Sequence, residues 1–64
     1  MILQDNLGED ADNFYKALVT AHEGLTESQS HTLNARLVLM LANQIGDLNM
    51  LIDIFDIARK DLPD

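Results

Sequence analysis

Leu33-Asn34-Ala35-Arg36-Leu37-Val38-Leu39-Met40-Leu41-Ala42-Asn43-Gln44-Ile45 settles what kind of fold this chain can adopt. At about 100° per residue around a helix, Leu33, Ala35, Leu37, Val38, Leu39, Leu41, Ala42 and Ile45 sweep an arc of roughly 240°. Arg36, Asn43 and Thr32 are the main residues left for water. A helix so apolar requires partners on two sides, and a chain of 64 residues has little mass from which to supply them.

The flanks of this stretch fix its ends. Thr26 with Gln29 three residues later forms a capping-box pattern, in which each side chain satisfies a backbone N–H at the helix start. Gly46 suits the left-handed position after the helix, and Asp47 suits the N-cap of the next one. The spacing therefore predicts a helix over 27–45. Upstream, Phe14, Ala17, Leu18, Ala21 and Leu25 recur at the spacing of one helical face, opposite Asp12, Lys16, Thr20 and Glu23. This predicts a helix over about 10–23, with acids at its positive dipole end and Gly24 at its close.

Downstream, Leu48, Leu51, Ile52, Phe55, Ala58 and Leu62 mark one face of a third helix over about 47–61. Arg59 and Lys60 lie near its negative end, and Pro63 stops it. Met50, Ile54 and Ile57 add a second stripe that widens its apolar arc to roughly 220°. Asp56 and Lys60 stand four residues apart, the spacing of a surface pair. Residues 1–9 show no sustained period and read as a flexible or loosely docked tail, leaving 10–64 as one helical domain.

The expected fold is therefore all-α, a three-helix unit with short joints. A fold this small buries only about 60% of the surface of its unfolded chain. The chain has no Cys, so neither disulfides nor thiolate zinc sites can stabilise it. Oligomerisation is the remaining route. With two of three helices apolar beyond the needs of one three-helix unit, the economical reading is a homodimer whose interface draws on Leu37, Leu41, Ile45, Met50, Ile54 and Ile57. The competing reading is a compact monomer with the second helix between the other two.

Charge and composition narrow the partners. A formal charge of −7 opposes binding to nucleic-acid phosphates or anionic lipid, and the third helix offers Asp53 and Asp56 where a recognition helix would carry bases. The longest apolar run, Leu37 to Ala42, is far short of the roughly 18 residues of a membrane span. The N-terminus lacks the basic and apolar regions of a secretory signal, so a cytoplasmic protein is expected. No nucleophile stands with a base and an orienting acid, and no Gly-rich phosphate loop is present. No catalytic residue and no cofactor is expected.

Five polar residues are candidates for a role. His22 and His31 are too far apart for helical metal ligands, so no metal site is assigned. His22 is expected at the edge of the first helix's core beside Tyr15, and His31 at the start of the second helix. Asn34 lies within the apolar arc, where its amide must find a partner: a carbonyl at a helix end, or its symmetry mate, fixing dimer register as buried Asn does in coiled coils. Arg36 and Asn43, seven apart on one face, are the candidate contacts with an unidentified protein partner. The alternative function is a small-ligand or metal site, using His22, His31, Asn34 and Arg36, that forms on dimerisation.

The blocks Ala21-His22-Glu23-Gly24-Leu25, Leu33-Asn34-Ala35-Arg36-Leu37 and Leu41-Ala42-Asn43-Gln44-Ile45-Gly46-Asp47 resemble a family of short bacterial proteins classed only as a domain of unknown function. The likeness runs from about Phe14 to Asp47. It implies an uncharacterised cytoplasmic protein with no assigned activity, and it weighs against a fragment of a larger enzyme. The function expected is that of a small acidic homodimeric interaction module, an accessory or adaptor without catalysis.

Overall fold

The computed structural model describes residues 6–63, and among these every regular element is helical. A 3₁₀ turn at Gly8–Asp10 leads into α1 (Ala11–His22), followed by α2 (Glu27–Ile45) and α3 (Leu48–Arg59). These bounds lie within two residues of those read from the sequence. The expected tail falls partly on residues 1–5, outside the described residues, while its last part, Gly8 and Glu9, belongs to the 3₁₀ turn.

The joints form as their side chains dictate. Glu23 (φ −61°, ψ 135°) and Gly24 (φ 75°) make a turn closed by Leu25 N–H donating to His22 O at 3.3 Å. This is type II geometry, which needs positive φ at its third residue and so favours glycine there. The Gln29 backbone N–H donates to Thr26 Oγ1 at 3.1 Å, and the Thr26 N–H donates to Gln29 Oε1 at 3.0 Å, completing the capping box. At the other end of α2, Gly46 takes the left-handed conformation (φ 69°, ψ 19°). Its N–H donates to Ala42 O. Asp47 then accepts from the Met50 N–H at 3.1 Å, opening α3.

The α3 terminus departs from expectation. The helix closes at Arg59, and Lys60 is extended (φ −65°, ψ 139°). Asp56 and Lys60 therefore do not share a helical face, and no ion pair forms between them among the described residues. Asp61 follows with φ 55°, a left-handed conformation that Asp tolerates better than most residues.

These well-formed helices enclose no core. No side chain among the described residues is buried. The half-buried ones are Leu18 and His22 on α1, Ser30, Leu33, Leu37 and Ala42 on α2, and Leu51, Ile54 and Ile57 on α3. The radius of gyration is 13.5 Å, where a compact domain of this length would have about 11 Å. The accessible surface is 6009 Å², against about 4,100 Å² for a folded monomer of this mass. The compact monomer with a sandwiched second helix is not what the chain forms.

The exposure pattern also cuts across the two stripes read for α3. Ile54 and Ile57, expected at a dimer interface, are half-buried within the single chain together with Leu51, and so is Leu37 of α2. Leu48, Ile52 and Phe55, expected to face the fold, are 70%, 44% and 54% exposed. With an apolar arc as wide as that of α3, periodicity alone does not choose which of its apolar residues are covered.

Candidate functional site

Two features stand out from the helical scaffold: a polar clasp between α1 and α2, and a band of uncovered apolar side chains. The clasp is made by His22, the last residue of α1. Its Nδ1 lies 2.7 Å from Leu18 O, and its Nε2 lies 2.9 Å from Oδ1 of Asn34 on α2. A carbonyl oxygen can only accept, so Nδ1 carries a hydrogen and donates to Leu18 O. At Nε2 the protonated ring donates to the Asn34 oxygen. In the neutral ring Nε2 accepts, and a half-turn of the amide presents its NH₂ instead.

His22 is half-buried, as a residue at the edge of a core would be, but Tyr15, expected beside it, is 66% exposed. Asn34 does find a partner for its amide, and that partner is His22 rather than a helix-end carbonyl. Asn34 is nevertheless exposed, not buried as its place in the apolar arc suggested, because no second element among the described residues covers that side of α2; the bond to His22 therefore forms at the surface. Replacing either residue by Ala, and then both, is expected to reveal a coupling of about 1 kcal/mol per chain. Urea unfolding of the four proteins at one fixed concentration measures it, and strictly additive effects would deny the clasp any energetic role.

His31 lies on the outer side of the first turns of α2, with Nε2 3.7 Å from Oε1 of Glu27; both side chains are well exposed, at 75% and 92%. The two histidines are thus engaged separately. Among the described residues no three His, Asp or Glu side chains gather as a metal-binding set.

Next to the clasp, an open groove of about 450 Å³ is lined by Ala21, Leu25, Ser28, Gln29, Thr32, Leu33 and Arg36. Gln29 is committed to the capping box, and the Thr32 hydroxyl donates to Ser28 O at 3.2 Å. Arg36 makes no ion pair among the described residues, so it is the charged group this groove can offer to an anion. Asn43 is exposed two turns further along α2.

The apolar band centres on α2. Val38, Leu39, Met40 and Leu41 are 50%, 71%, 68% and 53% exposed. Ile45 and Met50 are 46% and 42% exposed. Of the six residues expected at an interface, Leu41, Ile45 and Met50 are therefore open, while Leu37, Ile54 and Ile57 are partly covered by the chain itself. Leu39 belongs to the apolar arc read from the sequence but not to the six interface residues, and Met40 to neither, although four successive apolar residues at 100° steps necessarily present one to every side of the helix.

The structure thus defines a small, core-poor, three-helix protein in which no helix among the described residues is long and apolar enough to cross a membrane. The chain belongs to the family described as protein of unknown function DUF2783, whose sequence model matches residues 1–60. No curated protein and no solved structure matches it.

Proposed function

We propose that this chain is an acidic, self-associating helical interaction module of the bacterial cytoplasm, an accessory or adaptor protein without catalytic activity. Its folded unit is a homodimer. The observation that carries this reading is the missing core: a chain whose helices are capped and closed as designed still leaves every described side chain at least partly exposed. A helical unit of this size without disulfides gains stability chiefly by removing apolar surface from water, at about 25 cal/mol per Å². The second copy supplies the cover. Two such chains carry twice 6009 Å² of surface, whereas one globule of their combined mass would expose about 6,800 Å². The difference falls in the range of obligate interfaces.

Acidic outer faces, among them Asp53 and Asp56 on α3, then remain to meet another protein. Light scattering coupled to size exclusion tests the reading. The expected mass is twice 7.2 kDa at micromolar concentration, and a folded monomer there would overturn it.

The groove beside Arg36 favours a second reading, in which the same assembly holds a small anionic ligand against Leu25 and Leu33. Ligands selective for the folded state raise its melting temperature. A panel of small carboxylates and phosphates that leaves the melt unchanged would remove this reading.

A further inference from the structure

We infer that the second copy docks along the middle of α2, antiparallel to it, about a twofold axis beside Val38–Leu41. This rests on the self-association proposed above and adds the segment and the direction. The chain's own cover on α2 lies mostly to either side of that segment: Ser30, Leu33 and Leu37 are half-buried before it and Ala42 after it, while the four residues between are at least half exposed. Four successive residues point to four sides of the helix, so α2 is bare all round at this level.

Charge points to the same place. The chain carries eleven acids and a net charge of −7, so two copies repel wherever their acids meet. Yet residues 28–46 contain no acid at all, and Arg36 is their only charged residue apart from the titratable His31. The central stretch of α2 is where two acidic copies can approach most closely, and depletion of charge is what distinguishes the buried centre of an interface.

Direction follows from symmetry. A twofold contact uses one patch on both copies. If the helices ran parallel, Arg36 would lie level with Arg36 of the second copy, and the helix dipoles would align unfavourably. With the axis at the centre of Val38–Leu41 and the helices antiparallel, Arg36 lies level with Asn43 of the second copy and the dipoles oppose. The N-terminal half of each α2, which carries the clasp to α1, then lies beside the C-terminal half of the other.

The chain has no native Cys, so each introduced thiol is unique. A spin label on His31→Cys, at an exposed site near the start of α2, should report backbones about 25 Å apart along the helix direction, from 1.5 Å of rise per residue. Parallel helices would hold the same positions about 10 Å apart. In parallel, Val38→Cys, Leu39→Cys, Met40→Cys and Leu41→Cys are treated with a short thiol cross-linker. At least one should give a covalent dimer, and His31→Cys should give none. A dimeric mass with the short distance would overturn the antiparallel arrangement and leave self-association standing. A dimeric mass with no cross-link at any of the four positions would overturn the segment, and a monomeric mass would overturn both inferences.

Discussion

Leu39→Asp is expected to abolish the dimer at micromolar concentration, with the helical signal falling as the mass does. Leu39 is the most exposed large apolar residue of α2, at 71%, so the single chain gives it little cover to lose. Burying a leucine is worth about 1.5–3 kcal/mol. A twofold interface uses it twice, and the aspartate adds the desolvation of two carboxylates. The combined loss is about 4 kcal/mol or more, which is roughly a thousandfold in dissociation constant.

The control is Asn49→Asp, which introduces the same negative charge at an exposed site in the first turn of α3. A carboxylate there meets the positive end of the helix dipole, so mass and melting should hardly change. If Leu39→Asp remained dimeric with unchanged dissociation, the side of α2 that carries Leu39 would not be the interface. If Asn49→Asp dissociated as well, the effect of Leu39→Asp would be one of net charge and would say nothing about packing.

The helices and joints were legible in the sequence because local chemistry sets them. Thr26 and Gln29 can satisfy a helix start without help from the rest of the chain, Gly46 can take a left-handed φ, and Asp47 can reach the N–H of Met50 three residues on. Each is a short-range event with a recognisable pattern. Which apolar residues of α3 are half-buried was not legible. Leu48, Ile52 and Phe55 make as good an apolar stripe as Leu51, Ile54 and Ile57, and periodicity does not choose between them. The Asn34 partner was half legible: the need for a hydrogen bond followed from an amide in an apolar arc, but its supply by His22 required the two helices to be placed. The expected register role for Asn34 in a dimer now has a competitor, since the amide is already engaged within its own chain.

Where folding and association are one event, the melting temperature must depend on concentration. The three α-helices contain 12, 19 and 12 residues, and isolated helices of this length are marginal in water. The dissociated chain, with no buried side chain, has little else to hold them. A hundredfold dilution changes the free energy of a two-chain assembly by roughly 2.7 kcal/mol. Unfolding entropy near the midpoint is about 2.1 cal/mol/K per residue, or roughly 0.27 kcal/mol/K for both chains together. The ratio gives a fall in Tm of about 10 °C, readable by circular dichroism at 222 nm in cells of different path length. A folded monomer would instead melt at one temperature across the whole dilution series. The uncovered side chains of Val38–Leu41 would then have to be covered by a different protein, and the acid-free stretch of α2 would be the surface that protein binds.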